Sequence, residues 1–450
     1  MRAGRTNRGG CGLTRKVPRQ AEPPSGSATG PLETKLGRPL GDPVGTDPPR
    51  PLAYARGVTA TASRIVPELP ITRARGEGEQ RVTFFELFFD LVYVFGVTQV
   101  SHHLLADISW SGAAETALML VALYWAWNYT TWMTNWFDPD TAPVRLVLVF
   151  VMLASLLMAV AIPEGFGEHA LLFACAYSGL QIGRNAFVVV VTPRGLFNHN
   201  YRQILAWSVL SAPLWVAGGI VDTEGWRWGL WLGALGLDLT APLVTYWLPG
   251  VGATATSHWQ IEGAHFGERF QLFVIIALGE SVVLAGATAS DAGLSLEVVA
   301  ALLLALLSST ALWWLYFGQI AGSVLERIRA ATAEDRGQIG RDIYTYLHLP
   351  IVAGIVLVAV ADELVIAHPT DALHDSGALV ALGGPALFLA GLMACAARIG
   401  QTQPVPQAVV VIVLLAAVPL AAGADGLVAF GVLTALLVAL VVAEQLRGAS

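Results

Sequence analysis

Residues 81–105 read RVTFFELFFDLVYVFGVTQVSHHLL. The run is nearly long enough and apolar enough to cross a bilayer, yet Glu86 and Asp90 stand inside it, one helical turn apart. Of the 450 residues, 55% are hydrophobic and 13% are charged, against about 25% charged in a typical soluble domain. Long apolar runs repeat from Phe84 to the C-terminus. This composition describes an all-α, polytopic transmembrane helix bundle and not a soluble enzyme with a large core.

Working outward from that stretch, twelve apolar segments are predicted, near 84–106, 113–135, 143–162, 168–191, 201–220, 226–248, 266–289, 297–320, 343–366, 376–397, 405–423 and 425–444. Each has roughly 20 residues, which crosses about 30 Å of hydrocarbon in a helix. Turn-rich stretches such as DPDTAP and GADG separate them. Residues 1–80 differ: they are basic and rich in Arg, Pro, Gly and Thr. Such a segment cannot bury enough surface to offset its ordering entropy, so a disordered cytoplasmic tail is expected over 1–80, with a transmembrane domain over 81–450. The tail has no continuous apolar run near Met1 and does not read as a cleavable signal peptide. Fourteen of the 26 Lys and Arg lie at or before Arg81, which places the N-terminus in the cytoplasm. With twelve spans the even connections return there, and they carry Arg145, Arg194, Arg202, Arg327, Arg329, Arg336 and Arg341, while the opposite side carries essentially Arg227.

The two halves look alike. FFELFFDLVYVFGV opens the first span and HFGERFQLFVIIALGESVV the seventh, and aligning Glu86 with Glu268 sets Trp132 opposite Trp314. Residues 84–248 and 266–444 would then be two parallel six-helix repeats. The alternative is that apolar helices resemble one another by composition alone.

Ionisable residues inside spans carry the functional signal, because an intramembrane charge costs roughly 2.5–3.5 kcal/mol and normally faces the bundle interior. Glu86 and Asp90 share one helical face with Tyr93. Span 4 contributes Gln181, Arg184 and Asn185 on one face. By helical rise, Asp90 sits about 9 Å and Arg184 about 10 Å inside the same boundary, so a buried Asp90–Arg184 pair is expected. Asp238 lies mid-way along span 6, and Glu280 with Ser281 deep in span 7, about 16 Å from Arg269. These residues read as a polar pathway or proton relay, or as ion pairs that only hold helices in register. Glu86, Glu268 and Arg269, near the boundary, are expected to snorkel to the interface, as are Asp362 and Glu363 near the end of span 9.

Other features read more plainly. His102 and His103 fall at the outer interface. The Trp- and Tyr-rich stretches YWAWNYTTWMTNWF and LWWLYFG fit interfacial belts. Gly229 and Gly233 form a Gly-x-x-x-Gly match that would allow close helix packing. Cys175 and Cys395 read as small buried residues, and with Cys11 they make no metal or disulfide pattern. No Walker A loop, Gly-x-Ser-x-Gly elbow or His-Glu-x-x-His motif occurs, so neither an enzyme nor a cofactor or metal site is expected. For the basic tail, attraction to anionic lipid is the simpler reading than nucleic-acid binding.

Two stretches carry a family resemblance. FFELFFDLVYVFGVTQV at 84–100 is similar to the Glu-Leu-Phe-Phe-Asp-Leu opening of the bacterial low temperature requirement protein A family. HFGERFQLFVIIALGES at 265–281 resembles that family's His-x-x-Glu-Arg-Phe run leading into Leu-Gly-Glu-Ser. The resemblance covers about 81–445 and implies a multi-pass bacterial membrane protein, with Glu86, Asp90, His265, Glu268, Arg269, Glu280 and Ser281 at family-type positions. It implies no particular reaction. A looser similarity links the opening to the Arg-x-x-x-Phe-Ser-Asp motif of a potassium-channel family, but Phe89 stands where that motif has Ser. The expectation is a transporter-like protein of the bacterial cytoplasmic membrane, with the lipid bilayer and a small solute or ion as its partners. The alternative is a structural or lipid-interacting membrane protein.

Overall fold

Thr83 opens the first helix with a capping box: its hydroxyl accepts the Glu86 N–H, and the Glu86 carboxylate accepts the Thr83 N–H. Two orphan donors of the first turn are thereby satisfied. A computed structural model describes residues 66–73, 80–401 and 405–448; the first 65 residues, most of the predicted tail, lie outside the described residues. In chain order the helices are α1 Phe84–Ala106, α2 Trp110–Trp136, α3 Ala142–Ala161, α4 Ala170–Val191, α5 Leu196–Ile220, α6 Glu224–Leu243 and α7 Gly263–Ala292. They continue with α8 Leu296–Leu315, α9 Ala321–Ala330, α10 Ala333–Gly340, α11 His348–Ala367, α12 Asp375–Arg398, α13 Val405–Ala421 and α14 Gly426–Gly448. No strand occurs among the described residues, only isolated bridges such as Thr72 with Phe137.

Every predicted span coincides with a helix. Two π-helical segments, Tyr316–Ile320 and Arg341–Leu347, connect α8 to α9 and α10 to α11. Eight helices among the described residues are long and apolar enough to cross a membrane, and α2, α4 and α6 are not among these. The polar content of α2 explains its case: Asn128, Thr130, Thr131, Thr134 and Asn135 are all buried, so they face protein and not lipid. Large apolar side chains such as Leu146, Val190, Leu303, Ile412 and Val432 point outward, which suits contact with acyl chains and would be unusual on a soluble monomer.

Pairing distances define helix direction. Glu86 meets His265 and Asp90 meets Arg269, each across 179 positions, so α1 and α7 run parallel. The α11–α12 contact is antiparallel and unusually close. A Cβ on Gly354 would lie 2.6 Å from the Phe388 amide nitrogen and 2.7 Å from the Gly384 carbonyl oxygen, and one on Gly391 would meet the Ile351 amide nitrogen at 3.1 Å. By contrast, a Cβ on Gly229 would meet nothing within 4 Å and one on Gly233 only Leu214 at 3.8 Å. The expected role for that Gly-x-x-x-Gly pair is therefore wrong; the close packing is built from Gly354, Gly384 and Gly391. Cys395 is buried as expected, whereas Cys175 is exposed on the outer surface.

Residues 66–73, which the sequence reading assigns to the tail, form a strap against the end of α2. The Arg73 N–H donates to the Trp136 carbonyl at 3.0 Å, the Asp138 N–H to the Ile71 carbonyl at 2.9 Å, and Val66 is buried.

Candidate functional site

The strap, α1, α2 and α7 meet at Glu86. One oxygen, Oε2, accepts Arg73 Nη2 at 2.7 Å together with the Thr83 N–H and hydroxyl; the other, Oε1, accepts His265 Nε2 at 2.9 Å. Asn135 assigns the His265 tautomer. Its amide is clamped by the Glu262 backbone, with Oδ1 accepting the N–H at 2.9 Å and Nδ2 donating to the carbonyl at 3.0 Å. The second Nδ2 hydrogen therefore points at His265 Nδ1, 3.1 Å away, which must accept. The imidazole is held neutral with its proton on Nε2, aimed at Glu86. Arg73 Nη2 lies 3.1 Å from the same Nε2, the two donors converging on one carboxylate.

One turn deeper, Asp90 Oδ1 accepts both Trp127 Nε1 and Arg269 Nη2 at 2.8 Å. Asp90 and Arg269 are both 0% exposed. The guanidinium lies over the rings of Phe89 and Trp127, with its carbon 5.7 and 5.9 Å from their centroids. Asp90 Oδ2 and Arg269 Nε and Nη1 have no hydrogen-bond partner among the described residues. Nearby, the Tyr93 and Ser155 hydroxyls are bonded at 2.6 Å, tying α1 to α3.

Across α2 lies a second network. Arg184 donates to the Ala126 carbonyl and the Thr130 hydroxyl at 3.1 Å each, contacts Gln181 Oε1, and lies over the Tyr129 ring. Gln181 donates to the Tyr177 hydroxyl at 3.1 Å; Tyr177 in turn donates to Asp238 at 2.8 Å, as does Trp215 at 3.0 Å. Asn185 extends the network to Ser208 at 3.0 Å.

The expected Asp90–Arg184 pair does not form. Arg269 takes Asp90, and no carboxylate among the described residues comes within ion-pair distance of Arg184, whose positive charge is met by neutral oxygens and a ring face. Matched depth along two helices does not make them neighbours, and here α2 stands between them. Snorkelling is also overturned for Glu86 and Arg269, both buried and bonded. Glu268 is half-buried and accepts the Val82 N–H at 3.0 Å. Glu280 is buried but joins neither network, while Ser281 is bonded to Ser309 at 2.8 Å. Asp362, expected at an interface, is 0% exposed. His102 is exposed, and His103 contacts Glu115 at 3.2 Å. The aromatic run on α2 is not a belt: Trp125 and Trp127 are fully buried, and Trp127 packs on Phe270 and Phe273. Sequence reasoning did not select Trp127 or Asn135 as site residues; the signal for Asn135 is an amide near the end of the aromatic-rich stretch YWAWNYTTWMTNWF.

A family model described as bacterial low temperature requirement A protein (LtrA) matches residues 81–442. The chain belongs to this family. An uncharacterized protein of Rhizobium meliloti (strain 1021) is 38% identical over 326 residues, covering 71% of this chain and 78% of the relative. No solved structure matches. The LtrA match takes in Glu86, Asp90, His265 and Arg269 but begins after Arg73, so the strap's cation reaches a carboxylate of the LtrA region from outside it. Family membership and the long apolar helices together make this a helical membrane protein.

Replacing Asn135 by Leu is expected to leave the Glu262 backbone and His265 Nδ1 without partners. The cost should be about 1–3 kcal/mol, read as a lowered thermal-unfolding midpoint in detergent. An unchanged midpoint would mean that the clamp adds nothing to stability.

Proposed function

We propose that this LtrA protein moves a small solute or ion across the bacterial cytoplasmic membrane, using the polar groups buried between its helices. In this reading the chain crosses the membrane twelve times, with its N-terminus in the cytoplasm and its halves, 84–248 and 266–444, as a parallel repeat. The parallel run of α1 and α7 supports the count, because it requires an even number of crossings from the start of one to the start of the other. Crossing by α2, α4 and α6 meets that requirement. The distribution of arginines supports the orientation.

One observation carries the transport reading. The Asp90–Arg269 pair keeps an acceptor and two donors unengaged in the bundle interior. Buried polar groups are normally satisfied, and a pair kept only for registry gains nothing from spare capacity. Asp90 and Arg269 would contact the moving species directly. Arg184 and Asp238, linked through Gln181 and Tyr177, would line a second part of the pathway. The test is reconstitution into liposomes with a pH-sensitive dye inside and proton, sodium or potassium gradients imposed in turn. Flux above that of empty vesicles is expected, falling at least tenfold in Arg269→Gln. Flux unaffected by neutralising Asp90, Arg184, Asp238 and Glu280 together would remove their role.

A second reading, registry alone, is favoured by the Glu86–His265 contact, whose polar atoms are all engaged.

A further inference from the structure

Asp362 lies on α11, about 7 Å along the axis from the helix end at Ala367. It is 0% exposed, and neither carboxyl oxygen has a hydrogen-bond partner among the described residues. The Ser281 hydroxyl of α7 lies beside it, outside hydrogen-bond geometry, and is itself bonded to Ser309 of α8 at 2.8 Å. These three side chains share a cavity of about 300 Å³. The rest of its wall is apolar and includes Val282, Leu303 and Leu306, all exposed, so the cavity opens onto the apolar outer surface.

No cation among the described residues forms an ion pair with Asp362. Packed against α11 are α7, α12, α1, α8, α2, α14 and the preceding π-helical segment, whose Asp342 is engaged by Arg341 and Arg398. From α7 the nearest ionisable residue in sequence is Glu280, adjacent to Ser281. From α1, His102 acts on the neighbouring Glu363, and His103 is engaged by Glu115 of α2. Between Glu297 and Leu315 of α8 no titratable group occurs, and none occurs in α14 before Glu444. Between Asp375 and Arg398, α12 supplies only Cys395.

An ionised carboxylate without a partner is among the costliest groups to bury, and it must be neutralised. A hard metal cation would need roughly six oxygen ligands. The wall supplies one carboxyl and two hydroxyls among apolar side chains. We propose that Asp362 is a proton-binding site, whose carboxyl takes up and releases a single proton against the Ser281–Ser309 hydroxyl pair. Protonated, the carboxyl can donate to Ser281; deprotonated, it can accept from hydroxyls that rotate towards it. The proton is the only species exchanged. The site rests on the transport reading in one respect, that this proton would be the coupling ion.

N,N′-dicyclohexylcarbodiimide, an apolar reagent that adds to protonated carboxyls, tests the site without any flux measurement. The full chain in lipid vesicles is treated over a series of pH values, and modified peptides are identified by mass spectrometry. Asp362 is expected to be labelled, with labelling falling at least tenfold from acid to alkaline pH and unaffected by sodium. Ser281→Ala should shift the midpoint of that profile, and the isosteric Asp362→Asn should abolish the label while Glu280 and Glu363 serve as internal comparisons. No label at any pH, a label independent of pH, or protection by sodium would each overturn the proposal. Absence of flux alongside a pH-dependent label would sink the transport reading and leave the proton site standing.

Discussion

Asp90→Ala is expected to destabilise the bundle by about 3–5 kcal/mol, because it leaves the wholly buried Arg269 guanidinium without its anion. It also strips the Trp127 N–H of its acceptor. The measurement is the thermal-unfolding midpoint of purified protein in detergent, with gel filtration to report folded, monodisperse material. A double replacement, Asp90→Leu with Arg269→Leu, removes both charges and should recover most of the loss, since exchanging a buried pair for apolar residues is often neutral or stabilising. The same two variants separate the readings of the site. Recovered stability with flux still absent assigns the pair to transport. Recovered stability with normal flux reduces it to registry. A single Asp90→Ala variant as stable as the parent would mean that the pair contributes little to the fold.

The second large effect concerns backbone and not charge. Gly354→Ala, a change of one methyl group, is expected to force α11 and α12 apart, because the added Cβ meets the Phe388 amide nitrogen and the Gly384 carbonyl oxygen, neither of which can rotate away. Overpacking of this kind costs about 1–3 kcal/mol and more where backbone must move. Gly383→Ala is the matched control. Its Cβ would have only Leu379 near, at 3.9 Å, and removing a helical glycine should gain up to about 1 kcal/mol. Opposite shifts in unfolding midpoint for these two substitutions are the expected result; equal shifts would mean that the close contact is relieved elsewhere.

The helices were legible because apolar runs of the right length alternate with turn residues such as DPDTAP and GADG, and each predicted span has its helix. The buried acids and bases were legible as well, since charged residues stand out against such a background. Their partners were not. Helical rise gives depth along an axis, and by depth Arg184 suits Asp90 as well as Arg269 does. Only the arrangement of helices around the bundle decides between them, and no periodicity within one helix reports it. The interfacial place expected for Asp362 fails for a related reason: proximity to a helix end suggests water, but residues of α7 and α8 surround this carboxyl. The clamp on His265 depends on the Glu262 backbone turning back to meet Asn135, a contact across 127 positions. The π-helical segments beside α9 and α10 have no signature in the apolar pattern at all.

Arg73 gives the amino-terminal region a lever on the interior. It holds the Trp136 carbonyl through its backbone and Glu86 through its guanidinium, yet it precedes the first helix. Trimming the chain back to Arg81 would spare α1 to α14 and still subtract a cation from a sealed carboxylate, with the imbalance falling on His265. Anything that grips or severs the leading segment outside the bilayer would thus be felt as a change of charge between α1 and α7.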